Sequence, residues 1–293
     1  MASNYKLVKK LGSGSFGTTY LAEDTTGRSY AIKKISFSKL EMVGGTIDDV
    51  YKEIDNLKRL NKRVKNDYII RYIDSYQDNV KGEDYINIVM EYAKGQTLDD
   101  YILEHKGDLP PTVLWPIMLQ LIMGLKSIHD AGFAHRDIKP GNIMIDDFGQ
   151  IKYIDFGLAC KETCNLFGCR SDCNNKESTI LYIPPEGFSN QGRSSLSMSK
   201  AHDIWSLVLV MYELSGGIGV LPFDLNDSMN SQDIIDSILL APTRSPEYKN
   251  DDGRTNVFLV YVTRSDVNSR PNITELLTIF RDDILCRVYQ SLW

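Results

Sequence analysis

His135-Arg136-Asp137-Ile138-Lys139-Pro140-Gly141-Asn142 (HRDIKPGN) runs into IMIDDFGQIKYI, residues 143–154, and then into Asp155-Phe156-Gly157. The middle run reads as two short apolar strands joined by a polar turn, so the chain returns to where it started. Asn142 precedes the first strand and Asp155 follows the second, which places both at one end of the hairpin. Asp137 lies five residues before Asn142, with Lys139 beside it. Carboxylate and amide oxygens suit a hard cation such as Mg2+, which keeps waters and shares its shell with phosphates. A metal–phosphate site with a further carboxylate next to it is the equipment of phosphoryl transfer.

The bulk properties bound the alternatives. The 293 residues suffice for two modest domains or one two-lobed domain. A net charge of −6 argues against a sequence-independent grip on nucleic acid, which needs a basic field. Leu207–Tyr212 is among the longest apolar runs, far short of the roughly 18 residues of a membrane span. The N-terminal MASNYKLVKK lacks the apolar core of a signal peptide. Ala2 removes the glycine needed for myristoylation, and the C-terminal QSLW is no prenylation box. The expectation is a soluble intracellular, cytoplasmic protein with no nucleic-acid or membrane partner; the sequence sets no oligomeric state.

Residues 5–37 alternate as strands do, with GSGSFG, Gly12–Gly17, between the first two. A GxGxxG that opened a helix would suggest a dinucleotide fold. Here a second strand follows, so the glycines form a hairpin tip: either a plain turn or a backbone lid able to approach phosphates. Thr46–Leu60 reads as a helix with Thr46 as N-cap and Asp49 in the capping-box position. Glu53 falls inside its apolar stripe of Val50, Ile54, Leu57 and Leu60. A carboxylate there either snorkels from the edge or needs a cation, and Lys33 is the best candidate. YIIRYIDSY (68–76) and YINIVMEY (85–92) read as two further strands, and Ala93–Thr97 as the connector between a first domain, 1–92, and a second, 93–293. Beyond it the pattern is helical: from Pro110-Pro111-Thr112 to a stop at Gly132, then around 201–215, 230–240 and 271–288.

These motifs, in this order, resemble the eukaryotic-type protein kinases of the Ser/Thr class, from about Leu7 to Phe280. The resemblance implies an α+β, bilobal fold: a small β-rich N-lobe with one main helix and a larger, mainly helical C-lobe. It implies an ATP site lined by Leu11, Gly12, Ser13, Gly14, Ser15, Phe16, Gly17, Thr19, Ala31 and Met144, with Met90 as gatekeeper and Glu91 to Ala93 as the adenine-binding hinge. Lys33 would hold the phosphates and pair with Glu53. Asp137 would be the catalytic base, Lys139 the lysine steadying the γ-phosphate, and Asn142 and Asp155 the ligands of Mg2+ or Mn2+. Thr179 and the lysine of DIKPGN match the pattern for protein substrates carrying Ser or Thr. Glu186, in PPE, would pair with Arg270, and Asp203 would brace the catalytic loop. Arg136 belongs to family members often switched on by phosphorylation of the activation segment, 155–186, where Thr163, Ser171 and Ser178 are acceptor candidates. Thr19 replaces the usual valine over adenine, and Val208 a common glycine. The competing functions are a pseudokinase or docking scaffold, which loss of Lys33, Asp137 or Asp155 would have favoured, and a small-molecule kinase, against which Thr179, Glu186, Asp203 and Arg270 weigh.

The segment also departs from the family. Four of the five cysteines, Cys160, Cys164, Cys169 and Cys173, fall in it with the spacing C-x3-C-x4-C-x3-C. Three readings stand: a four-cysteine Zn2+ site, although common zinc knuckles use shorter intervals; disulfides or a redox switch, disfavoured in a reducing compartment; or thiols with no joint role. Either of the first two would let the cluster replace or gate activation by phosphate. Cys286 is distant and expected in the core.

Overall fold

The computed structural model describes residues 4–14, 17–165, 168–171, 173, 179–188, 195–223, 225–226, 228–240 and 266–290. Side chains of 162–165, 168–171, 283 and 285–290 are outside that description, as are Ser15, Phe16 and Ser178 altogether. Two compact units divide between Lys94 and Gly95, inside the predicted connector and two residues beyond the expected boundary.

The first unit is an antiparallel sheet in the order β1-β2-β3-β5-β4, with β1 Tyr5–Ser13, β2 Gly17–Asp24, β3 Ser29–Ser36, β4 Tyr72–Val80 and β5 Glu83–Glu91. Two helices, α1 Phe37–Met42 and α2 Ile47–Arg63, lie between β3 and β4. α2 starts where the sequence places it: Thr46 Oγ1 accepts from Asp49 N, and Asp49 Oδ2 accepts from Thr46 N. The reciprocal cap satisfies two of the orphan donors of the first turn, a contribution of about 0.5–2 kcal/mol for such a cap. The helix buries Val50, Ile54, Leu57 and Leu60 and runs three residues past the expected end.

The strand expected over 68–76 is displaced. Residues 68–71 lie outside β4; Asn61 of α2 bonds beside its start, donating to Ile70 O at 3.1 Å and accepting from Tyr72 N at 2.6 Å. At the other end β4 continues through the polar run to Val80. Lys81 and Gly82, both at positive φ (54° and 91°), make a two-residue turn whose twist suits an antiparallel hairpin. The polar residues are tolerated because they are partnered: Asp78 accepts from Lys34 Nζ and Asn87 Nδ2, each at 2.9 Å.

The second unit is mainly helical: α3 Leu98–His105, α4 Pro111–Asp130, α5 Leu196–Gly216, α6 Ser231–Leu240 and α7 Ile273–Gln290. α5, α6 and α7 correspond to the three later helices read from periodicity; α1 and α3 were not foreseen. By length and composition α4 could cross a membrane, but its apolar residues Leu114, Ile117, Met118, Leu121, Ile122, Leu125 and Ile128 are buried inside this unit. Short strands pair around it: β6 Gln96–Thr97 with β8 Ile143–Ile145, and β8 with β9 Ile151–Tyr153. β7 Phe133–Ala134 pairs with β10 Cys160–Asn165, which pairs in turn with β11 Gly168–Ser171. This last sheet places the start of the cysteine-rich segment directly against the strand that enters HRDIKPGN.

Candidate active site

In the first unit the antiparallel register sets the candidate nucleotide-binding residues side by side. Thr19 lies opposite both Gly12 and Lys33, and Ala31 opposite Met90. Directly opposed residues, and residues two apart along a strand, share a face, so Thr19, Ala31, Lys33 and Met90 belong to one face of the sheet. Lys33 Nζ lies 2.8 Å from Glu53 Oε1, with the two side chains 17% and 8% exposed. The ammonium is therefore held in place by a carboxylate that the helix buries, the pair suggested by the helical stripe. The glycine loop is closed by a 2.9 Å bond from Gly14 N to Gly17 O. A Cβ at Gly12 or Gly14 would meet nothing within 4 Å, and neither has a positive φ, so the fold itself does not call for glycine there. Gly17 differs: its Cβ would lie 2.2 Å from Lys34 O. Leu11 and Ser13 lie in exposed parts of β1, and Glu91 is engaged with Arg71: its backbone N donates to Arg71 O at 2.9 Å, and its carboxylate accepts Arg71 N at 2.9 Å and Nε at 3.1 Å.

In the second unit the β8–β9 hairpin folds back as read, with Ile143 opposite Tyr153 and Ile154 N donating to Asn142 O at 3.1 Å. Asn142 is thus one residue from the backbone of Asp155. Its Nδ2 donates to Asp137 Oδ2 at 2.7 Å and Asp137 O at 2.8 Å. With both amide protons on Asp137, the orientation of Asn142 presents its Oδ1 on the other side, as an oxygen donor. Lys139 Nζ stands 3.0 Å from Asp137 Oδ2 and donates to Thr179 Oγ1 at 2.8 Å. Asp155 Oδ1 accepts from Gly157 N at 2.9 Å, which fixes the turn after the hairpin. Met144 sits mid-strand in β8, half-buried.

The loop carrying Asp137 is anchored from below. Asp203, fully buried on α5, accepts from His135 N and Arg136 N at 2.7 Å each and from His129 Nε2 at 2.8 Å. Burial pushes the Asp203 carboxyl up, but the His129 bond and charge, the His135 ring and the Arg136 N–H outweigh it and hold it below the ordinary value. Burial pushes the His135 imidazole down, toward its neutral form, with carboxylates opposing. Phe156 packs on that ring at 4.8 Å between centroids. His129 had not been singled out from the sequence; the available signal was a histidine on the buried face of the otherwise apolar α4. Arg136 is buried at a φ of 71°. Glu186 and Arg270 form a two-pronged pair at 2.6 and 3.1 Å, with the Arg270 side chain 1% exposed and also donating to Ala201 O.

The cysteine cluster needs a correction. Cys160 and Cys173 are joined in a disulfide, with Cα atoms 5.0 Å apart. Two of the four thiolates that a Zn2+ site would use are consumed in that bond, so the zinc reading fails. The reading of four separate thiols fails with it. Among the described residues no group of three or more His, Cys, Asp or Glu could hold a metal. A Mg2+ shared between one carboxylate, one amide oxygen and phosphates requires no such group. Cys164 and Cys169 are opposed in the β10–β11 register, while their side chains, and those of Thr163, Ser171 and Cys286, lie outside the described set.

An antiparallel five-stranded unit with one long helix, followed by a helical unit bearing this anchored loop, defines the protein-kinase class of fold. The chain belongs to the protein kinase domain family, whose model matches residues 5–279. It is 31% identical over 227 residues to the serine/threonine-protein kinase PrkC of Bacillus subtilis, covering 76% of this chain and 32% of that one. It is 34% identical over 221 residues to the CBL-interacting serine/threonine-protein kinase 1 of Arabidopsis thaliana (75% and 46%). It is 28% identical over 276 residues to the mitogen-activated protein kinase kinase kinase ANP1 of the same plant (91% and 38%). The chain thus spans about a third to a half of the length of these curated relatives.

Proposed function

We propose that this chain is an ATP-dependent protein serine/threonine kinase that moves the γ-phosphoryl group of ATP to Ser or Thr hydroxyls of protein substrates. The observation that carries the reading is the Asp137–Lys139–Thr179 chain of contacts beside Asn142. A carboxylate that can orient a hydroxyl lies 3.0 Å from an ammonium that can neutralise a phosphate, and the threonine of the substrate-binding loop is tied to that ammonium. Lys33, held by Glu53, is a positive charge of the first unit suited to phosphates. Asp155 and the Oδ1 of Asn142 would hold Mg2+, which supplies charge neutralisation on the phosphate oxygens. Because the transferred group carries spread negative charge, catalysis rests on positioning and preorganised charge, which is what these residues offer. The relatives' names, all of serine/threonine-protein kinases or mitogen-activated protein kinase kinase kinases, support the same substrate class. Control resides in the activation segment, through its cysteines.

The test is incubation of the whole chain with Mg·ATP and a generic protein acceptor, followed by phosphosite mapping. Phosphoserine and phosphothreonine should appear, and Asp155→Asn should remove nearly all turnover while leaving the fold intact. Phosphotyrosine as the main product would overturn the substrate class. A variant retaining more than roughly a tenth of the wild-type rate would overturn the metal role of Asp155.

A further inference from the structure

The four activation-segment cysteines are symmetric about a single point. Cys160 and Cys173 are equidistant from residues 166–167, and so are Cys164 and Cys169. β10 and β11 fold about that same point, in the register Asn165↔Gly168, Cys164↔Cys169, Thr163↔Arg170 and Glu162↔Ser171. Continued toward the base, this register brings Cys160 opposite Cys173, the two residues that are joined. Directly opposed residues of an antiparallel ladder have Cα atoms about 4.5–5.5 Å apart, inside the roughly 4.4–6.8 Å that a disulfide spans. One hairpin geometry therefore serves both pairs.

We propose that Cys164 and Cys169 form a second disulfide nested within Cys160–Cys173, and that this two-rung ladder holds the activation segment in its competent form, the task phosphate performs in relatives. The switch rests on the kinase activity proposed above. The lower rung is buried in a cluster of Ala134, Cys160, Cys173 and Leu196. Ala134 pairs with Cys160 and immediately precedes His135; Leu196 opens α5, the helix that carries Asp203. The ladder is thereby fastened to both structures that set the catalytic loop. It also shortens the tether to Thr179, from nineteen residues counted from Cys160 to six counted from Cys173. Loop closure scales as about the −3/2 power of length, so holding Thr179 at Lys139 becomes roughly five-fold more favourable. Opening a rung is thiol–disulfide exchange: a thiolate of a dithiol reductant attacks one sulfur, its second thiol resolves the mixed disulfide, and two electrons pass to the cystine. The products are two cysteine thiols and the oxidised reductant.

The test uses the whole chain purified without reductant. Proteolysis under non-reducing conditions and mass spectrometry should yield peptides linked 160–173 and 164–169; any other linkage, or free thiols at 164 and 169, overturns the second bond. Turnover and amide exchange over residues 173–188 are then followed before dithiothreitol, after it, and after reoxidation. Turnover should fall about five-fold or more and exchange protection should drop, both reversibly. The variant with Cys160, Cys164, Cys169 and Cys173 all replaced by Ser should sit at the reduced level and ignore dithiothreitol. Equal turnover and equal protection in both redox states overturns the switch. Absence of turnover in every state defeats the kinase reading instead, and the exchange data alone then decide whether the ladder orders the segment.

Discussion

Asp203→Asn isolates the anchor beneath the catalytic loop. Asp203 offers two oxygens to three donors: Oδ2 takes His135 N and His129 Nε2, and Oδ1 takes Arg136 N. Asparagine offers one oxygen, so whichever way the amide turns, its NH2 faces a buried backbone N–H. A lost charge-assisted bond costs about 1.5–3 kcal/mol, and a stranded buried donor about 1–3 more, so the expected loss is roughly 3–5 kcal/mol. Against a typical total of about 5–15 kcal/mol this is large but survivable. Tryptophan fluorescence in urea reads it directly, because Trp115, Trp205 and Trp293 all belong to the second unit. Since Asp137 lies two residues beyond His135, turnover should fall about tenfold or more as the loop shifts. The pH dependence adds a signature. A carboxylate whose folded pKa is depressed gives stability that is complete above its unfolded pKa, about 4, and lost as pH falls through the folded value. The stability gap between wild type and variant should therefore narrow below about pH 4. A loss under about 1 kcal/mol at pH 7, with turnover unchanged, would refute the reasoning.

Four further substitutions test other parts. Gly17→Ala puts a Cβ 2.2 Å from Lys34 O and should destabilise the first unit by about 1–3 kcal/mol. Gly12→Ala, with open space around it, should leave stability within about 0.5 kcal/mol and raise KM for ATP; thermal denaturation with ATP titration separates the two. Glu186→Gln strips the charge from the partner of a buried guanidinium and should cost about 2–4 kcal/mol in urea unfolding, somewhat below the roughly 3–5 kcal/mol of a fully buried pair because Glu186 keeps 17% exposure. Glu213 is pushed up by burial, against bonds from Tyr182 and Gly219, so the native state binds protons more tightly and this group's stabilising effect falls as pH rises above about 4.3. Glu213→Gln should therefore gain stability relative to wild type between pH 5 and 7.5, and an unchanged difference across that range would count against the assignment.

What was legible in the sequence was what is local. The Thr46–Asp49 cap spans four residues, Glu53 reveals its burial by its place in a stripe, and the β8–β9 hairpin is specified by its own turn. Residue 68 reads as a strand start because Tyr-Ile-Ile favours β structure; the bonds of Asn61 beside the true start of β4 come only with tertiary folding. The anchor at Asp203 joins residues 67 and 68 positions away, so no window of sequence contains it, and it came only through the resemblance to kinases. The cysteines lie between these cases. Their spacing is a palindrome, and a palindrome about a two-residue point is a hairpin pattern as well as a metal pattern. Zinc requires four thiolates converging on a point, whereas a ladder requires two pairs in line, and the paired strands together with the Cys160–Cys173 bond select the second. Both rungs then act in one direction: Cys160 bears on Ala134 just before the loop that Asp203 holds, while Glu186 and Arg270 secure the far end of the same segment. With the segment tied at its base and at its end, six peptide steps separate Cys173 from Thr179, and the redox state of the ladder sets the length of chain between the anchored points.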